Sequence, residues 1–217
     1  GGGFGSFSEL FIRNYNTKLL SIDLPEANLI TAFYLKENFP EKRFYLYDDY
    51  KNKNILSLQD FNDNDIIILP PNSKIDSRIK IDLFVNARSM MEMEFKTIDS
   101  YFNFIHNFSH NNSYFLNINR YEKRTVGEKI RIAEYPYDKN WKVIISKKSI
   151  NQNHIHFLLT KRTFYQKEAN ILQELSKINI IGSKFYEDDL SFSQKFFSYK
   201  FFILFKKKIL KLIKKLI

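Results

Sequence analysis

The sequence contains no cysteine, and glycine is scarce beyond its first five residues. Without cysteine the chain has no disulfide framework, no thiolate metal site and no cysteine nucleophile, which fits a reducing compartment. We therefore expect a cytoplasmic location. The start of the chain has no basic stretch followed by an apolar core, so the sequence predicts no signal peptide there.

Four of the six glycines open the chain, directly ahead of a helical pattern. Glycine tolerates positive φ and lets a ligand approach the backbone closely. Gly1, Gly3 and Gly5 have the G-x-G-x-G spacing typical of S-adenosylmethionine sites, and Asp23 follows about 20 residues later, where a carboxylate can accept both hydroxyls of a ribose. These four residues predict a cofactor site. A glycine-rich terminal linker is the alternative interpretation.

The formal net charge of +10 is concentrated at one end of the chain. Residues 195–217 contain eight lysines and no acid, so the rest of the chain has 26 basic and 24 acidic residues. A nearly neutral body argues against a broad phosphate-binding face, and we expect no nucleic-acid partner.

Apolar runs alternate with helical patterns over most of the chain. The first two helical patterns place apolar residues on one side: Phe7, Leu10 and Phe11, then Leu29, Ile30, Phe33 and Tyr34. A third helical pattern extends from Glu94 to Phe108. Five runs are strand-like: KLLSID, RFYLYDD, DIIILPP, IDLFVN and YFLNINR.

This alternation predicts an α/β fold with a mostly parallel sheet, helices on both faces and ligands at the carboxyl ends of the strands. RFYLYDD and DIIILPP compete for the position of the third strand. WKVIIS and HIHFLLTKR follow each other without a helix between them, so they predict an antiparallel C-terminal hairpin.

Four stretches between Gly1 and about Arg162 carry a family resemblance: GGGFGSFSEL, SIDLPEANLITAFYL, LFVNARSMMEMEF and YFLNINRYEK. They resemble the sugar O-methyltransferases of bacterial surface-glycan gene clusters. The resemblance implies a class I, Rossmann-like methyltransferase fold and S-adenosyl-L-methionine as methyl donor. It implies as acceptor a hydroxyl of a nucleotide- or lipid-linked sugar in surface polysaccharide, lipooligosaccharide or capsule biosynthesis.

The resemblance also implies a domain organisation. The strand and acidic residue that such a fold has ahead of its glycines are missing, so we expect this chain to be the C-terminal part of a longer protein. We expect residues 1–165 to form the methyltransferase domain, 166–194 a helical or linker extension, and 195–217 a basic amphipathic helix.

The polar residues of the NARSMMEM segment are the candidates for chemistry, because this segment follows a predicted strand. Methyl transfer to a hydroxyl needs a positioned acceptor oxygen and a group that removes its proton. Arg88 and Asn86 are candidates to hold the sugar or the methionine carboxylate, and Glu92 is the candidate base. The alternative for Glu92 is an acid at a helix N-terminus, where the dipole favours it. We expect the methionines of the segment to pack.

The four histidines fall in two pairs, each of which gives a weak metal site. His154 and His156 are two residues apart on a predicted strand, and His106 and His110 are four apart near a helix end. A zinc site needs three or four ligands. A pair on the surface or on an edge strand is therefore the better interpretation, and we predict no metal.

Two other function classes stay open. Leu69–Asn72 has the proline pair of nucleic-acid amino-methyltransferases, but it lacks the polar residue before the pair and the aromatic residue after it that would hold a base. A non-catalytic subunit of a glycan gene cluster is the third interpretation.

The C-terminal lysines predict a membrane contact. On a helix that begins at Phe205, one arc would carry five lysines while isoleucine and leucine cover the rest: Lys207, Lys208, Lys211, Lys214 and Lys215. Such a helix lies in the membrane interface, where each lysine near anionic lipid contributes about 1 kcal/mol. We therefore expect Lys206 to Lys215 to bind the inner face of the cytoplasmic membrane peripherally. Packing of this helix on the protein itself is the alternative.

Deleting residues 195–217 is expected to abolish co-sedimentation with vesicles that contain anionic lipid, because the remaining body is nearly neutral. The whole chain should pellet at low salt, and a chain that ends at Gln194 should stay in the supernatant. Vesicles of zwitterionic lipid are the control. Equal pelleting of both chains, or of neither, would contradict the membrane contact.

Overall fold

The computed structural model describes residues 2–123 and 127–186. The helices are α1 Ser6–Tyr15, α2 Pro25–Asn38, α3 Tyr47–Lys53, α4 Leu58–Asp63, α5 Phe95–Phe108 and α6 Ile171–Gly182. The strands are β1 Leu19–Ile22, β2 Phe44–Tyr45, β3 Ile66–Leu69, β4 Ile81–Ala87, β5 Ser109–Arg120, β6 Glu122–Lys123, β7 Ile130–Arg131, β8 Trp141–Lys148 and β9 Ile155–Arg162. Gly1 and the predicted basic C-terminal helix lie outside the described residues. Within these residues no helix combines the length and the apolarity that crossing a bilayer requires.

β1, β3 and β2 form a parallel sheet in that spatial order. All four residues of β3 are buried, as expected for a continuous apolar run in the middle of a parallel sheet. DIIILPP therefore takes the position beside β1. RFYLYDD supplies only the two-residue strand β2 before the chain turns into α3.

Helices cover both faces of this sheet. Ile66 and Ile68 of β3 pack with residues of α1 and α2 on one face. Ile67 and Leu69 belong to a separate cluster with a residue of α3 on the other face. Because successive residues of a strand point to opposite faces, one short strand contributes to two cores. The predicted α/β class, with helices on both faces of a parallel sheet, is confirmed.

β4, β5, β9 and β8 form a second sheet in that order, and β6 pairs with β7. β4 and β5 are parallel and joined by α5, whereas β9 runs antiparallel to both of its neighbours. The predicted antiparallel C-terminal hairpin is confirmed. Within the described part of the chain, β1 pairs only with β3 and β4 only with β5, so one edge of each has no strand beside it.

The largest core lies against the second sheet and includes residues of α5 and α6. The ring of Phe102 on α5 meets the rings of Phe115 and Tyr137 edge-on, with centroids 5.7 and 4.8 Å apart. Ile81 and Phe108 pack against this core and also against the core under the first sheet. The two sheets are therefore joined by shared apolar contacts.

The apolar sides that helical spacing indicates for α1 and α2 are largely exposed. Leu29 and Phe33 of α2 are 73% and 68% exposed, whereas Asn28 and Thr31 are buried. Asn28 hydrogen-bonds to the backbone carbonyls of Asp23 and Leu69 at strand ends. Thr31 hydrogen-bonds to the backbone carbonyl of Gly3, ahead of α1. The buried face of α2 therefore includes polar side chains that hydrogen-bond to distant carbonyls, a contribution that apolar periodicity does not report.

Candidate functional site

The glycine loop lies against the end of β1. The N–H of Gly2 donates to Oδ2 of Asp23 at 2.7 Å, and the N–H of Leu24 donates to Oδ1 at 2.8 Å. Two backbone donors thus hold the carboxylate where β1 ends. The structure brings Asp23 together with the loop from Gly2 to Gly5, as a shared cofactor site requires.

Glycine is needed at two positions of this loop. Gly5 has a φ of 102° and precedes the first residue of α1, and a Cβ there would lie 3.2 Å from a side chain of α2. A Cβ on Gly2 would lie 3.0 Å from Oγ of Ser21. A side chain at Gly5 would add a tight contact to a strained backbone conformation, and a side chain at Gly2 would crowd Ser21. Around Gly3, whose φ is 56°, a Cβ would meet nothing within 4 Å.

Asn28, a buried residue that sequence analysis did not single out, holds the ends of β1 and β3 together. Its Nδ2 donates to the carbonyl oxygens of Asp23 at 2.8 Å and Leu69 at 2.9 Å. Because both acceptors are carbonyls, the orientation of the amide is determined. Its Oδ1 is left as a buried acceptor without a partner among the described residues. The available signal was an asparagine just after Pro25, in the first turn of a helix that follows a strand.

Asp23 also lies near α5. Burial raises the pKa of Tyr101 on that helix, and the negative charge of Asp23 raises this pKa further. The carboxylate at the end of β1 is therefore a neighbour of the helix that follows β4.

The end of β4 is held by three buried amides. Oδ1 of Asn86 accepts from the N–H of Met90 at 3.1 Å and from Nδ2 of Asn119 at 3.0 Å. Asn119 also accepts from the N–H of Met91 at 3.1 Å and donates to Asn117 at 2.6 Å. These bonds fix the turn after β4 to the end of β5. Sequence analysis did not identify Asn117 and Asn119 as site residues. The only sequence signal was their spacing of two residues on a predicted strand.

Arg88 occupies an uncommon backbone conformation in that turn. Its φ is 65°, in the left-handed region that non-glycine residues seldom adopt, and its N–H donates to the carbonyl of Ile118 at 2.7 Å. The side chain is exposed. Residues held in such conformations cluster at functional sites, so the backbone supports Arg88 as a site candidate.

Glu92 lies in a short 3₁₀ turn, Met90–Glu92, and its side chain is exposed. It does not occupy a helix N-terminus, because α5 begins three residues later at Phe95. Met90 and Met91 are buried, as their interpretation as packing residues requires. The structure thus separates a buried, packed side of the NARSMMEM segment from an exposed side that carries Arg88 and Glu92.

The interpretation of His156 as a surface or edge-strand residue is wrong. β9 lies between β5 and β8, so His156 is 1% exposed. Its Nε2 is 2.9 Å from Oγ of Ser146, and its Nδ1 is 2.9 Å from the hydroxyl of Tyr121. Burial lowers its pKa to about 4, so the imidazole is neutral at pH 7. His154 precedes β9 and is exposed.

The two histidines of the second pair, His106 and His110, also lie in different surroundings. Burial lowers the pKa of His106, whose Nε2 is enclosed, whereas Nε2 of His110 lies 2.9 Å from Oδ1 of Asp82. Among residues 2–123 and 127–186, no three side chains of histidine, cysteine, aspartate or glutamate come together as a metal site would require.

No protein-family model matches the chain, and no curated protein matches it. Among solved structures it is similar to the mitomycin 7-O-methyltransferase MmcR, with 11% identity and a TM-score of 0.45 over 75% of this chain and 47% of that one. It is also similar to a structure concerned with the conversion of a disulfide bond into a thioacetal group during echinomycin biosynthesis, with 10% identity and a TM-score of 0.45 over 82% and 78% of the chains. The chain thus spans about half the length of the first. Neither similarity is close enough to assign an activity.

Replacing His156 by glutamine is expected to weaken the acid sensitivity of the fold. The pKa of this imidazole is lowered from 6.5 to about 4 in the folded chain. Between those values only the unfolded chain binds the proton, so stability falls with falling pH by about 1.4 kcal/mol per unit from this group. Urea unfolding between pH 7 and pH 4.5 should show a shallower dependence for His156→Gln than for the unmodified chain. Identical slopes for His156→Gln and the unmodified chain would contradict the assignment.

Proposed function

We propose that the chain is an S-adenosylmethionine-dependent O-methyltransferase that transfers a methyl group to a sugar hydroxyl in surface-glycan biosynthesis. The observation that carries this proposal is the contact between the glycine loop and Asp23 at the end of β1. Open α/β sheets bind ligands at the carboxyl ends of their strands, where a carboxylate can accept ribose hydroxyls. The sugar acceptor rests on the resemblance of the four sequence stretches.

The residues at the end of β1 fit a nucleoside cofactor. Gly2, Gly3 and Gly5 have no Cβ atoms that would block a close approach, and Asp23 is held in place to bind the ribose. S-adenosylmethionine, when bound, supplies a methyl group already activated on a sulfonium. The residues of the chain then need only orient the acceptor oxygen and remove its proton.

The turn after β4 supplies the acceptor side of the proposed site. Arg88 would hold the sugar, since its exposed guanidinium presents several donors to hydroxyl or anionic oxygens. Glu92, exposed on the same turn, would take the hydroxyl proton. Asn86 has one amide hydrogen beyond its bonds within the turn, and that hydrogen would bind the methionine carboxylate.

Methylation of a nucleic acid is supported less well. Leu69–Asn72 includes the end of β3, a strand that precedes β4, whereas the turn that carries the candidate chemistry follows β4. The residues on either side of the proline pair are also not those that would hold a base. Binding of S-adenosylhomocysteine, measured in the experiment below, distinguishes both kinds of methyltransferase from a non-catalytic role.

Replacing Asp23 by alanine is expected to weaken binding of S-adenosylhomocysteine to the protein encoded by the complete reading frame that contains this chain. Losing the ribose contact should cost about 1.5 to 3 kcal/mol, or about 10- to 150-fold in Kd. Calorimetry is the measurement, with thermal unfolding as a check on folding. Asp63→Ala, which removes an exposed carboxylate at the end of α4, is the control. Equal affinities of the unmodified protein and Asp23→Ala would reject the role of Asp23.

Replacing Arg88 by alanine is expected to lower kcat/KM for a nucleotide- or lipid-linked sugar by about ten-fold or more, because a charge-assisted contact to the acceptor is lost. Met91→Leu, a volume-conserving change at a buried position, should retain activity. Arg78→Ala controls for the loss of an exposed arginine elsewhere. Methylation of tRNA or DNA, with glycan precursors left unmodified, would show that the sugar acceptor is wrong.

A further inference from the structure

Lys123 is a buried cation that the proposed chemistry does not use. It lies on β6, three residues after the end of β5, and is 1% exposed. Its Nζ is enclosed and has no hydrogen-bond partner among the described residues. An ammonium group is strongly hydrated in water, so this position is unfavourable for the charged side chain unless an anion accompanies it.

The neighbouring residues do not supply that anion. Glu122 is adjacent and buried, but its Oε2 lies 3.3 Å from Nε of Arg131. Ile130, an apolar residue, lies opposite Lys123 in the β6–β7 ladder. Glu92 is exposed on the nearby turn. The charge of Lys123 is therefore not balanced by a hydrogen-bonded carboxylate in the described part of the protein.

Lys123 belongs to the same end of the second sheet as the candidate acceptor residues. β6 packs against the Met90–Glu92 turn that follows β4. Arg120, the last residue of β5, is half-buried, and its Nε also lacks a hydrogen-bond partner among the described residues. Arg88 adds a positive charge just after β4. Three basic residues thus lie at or just after the ends of two adjacent parallel strands.

We infer that Lys123 binds an anionic group of the acceptor, a carboxylate or a phosphate. The acceptor class is then an acidic or phosphorylated sugar, and this inference rests on the proposed function. The four-carbon stem of lysine lets Nζ reach a ligand at this end of the sheet while the backbone stays in place. An anion balances the charge, whereas a neutral sugar leaves it unpaired, so Lys123 selects against neutral acceptors.

The experiment uses the protein from the complete reading frame, with D-glucuronate, glucose 6-phosphate and D-glucose as probes, in the presence and absence of S-adenosylhomocysteine. Calorimetry should give an anionic probe an affinity about ten-fold higher than that of glucose. Lys123→Met should remove most of this preference. Lys96→Met, which removes an exposed charge on α5, should retain it.

Unfolding measurements separate ligand binding from a structural role of the lysine. Methionine keeps most of the apolar stem without the charge, so Lys123→Met should raise the thermal midpoint of the unliganded protein. A lower midpoint, an anion preference that Lys123→Met leaves unchanged, or equal binding of all three probes would overturn the inference. Absence of S-adenosylhomocysteine binding alongside a Lys123-dependent anion preference would support the anion site and count against the proposed function.

Discussion

The hydrogen bonds from the Asn28 amide to the ends of β1 and β3 determine where the candidate cofactor site lies. One amide nitrogen ties together the carbonyls of two neighbouring strands, and the carboxylate of Asp23 then receives the N–H of Gly2. The loop, the strand end and α2 are thus fixed to one another by hydrogen bonds between side chains and backbone groups. A site that must bind a nucleoside benefits from this rigidity, because little freedom is left to lose on binding.

Buried amides play the same part at the end of β4. Asn86 and Asn119 each accept from a backbone N–H of the following turn and are joined to each other. The turn is thereby fixed in a shape that places Arg88 in a left-handed conformation with its side chain outside. Shared packing of Ile81 and Phe108 holds the two sheets together. Two strand ends are therefore held in place by hydrogen bonds, one at the proposed cofactor site and one at the proposed acceptor site.

The sequence predicted those parts of the fold that depend on local pattern. Apolar runs identified most of the strands, and the pair of runs without an intervening helix indicated the C-terminal hairpin. Sequence pattern did not predict the buried face of α2, because hydrogen bonds from Asn28 and Thr31 to distant carbonyls decide it. It also placed His156 on the surface or on an edge strand, since the position of β9 between two strands depends on sheet order rather than on its own residues. Lys123 and the amides of β5 were missed for the same reason: their significance comes from neighbours far away in sequence.

The scarcity of glycine makes cofactor binding at the end of β1 directly measurable. The chain has six glycines, of which Gly2, Gly3 and Gly5 lie in the loop and Gly182 lies on α6. Selective ¹⁵N-glycine labelling therefore gives few amide signals, and each can be followed during a titration with S-adenosylhomocysteine. If the cofactor binds at the end of β1, the loop signals shift in a saturable manner while the signal of Gly182 stays in place. Loop signals that do not move, or shifts of equal size at Gly182, would contradict a cofactor site at the end of β1.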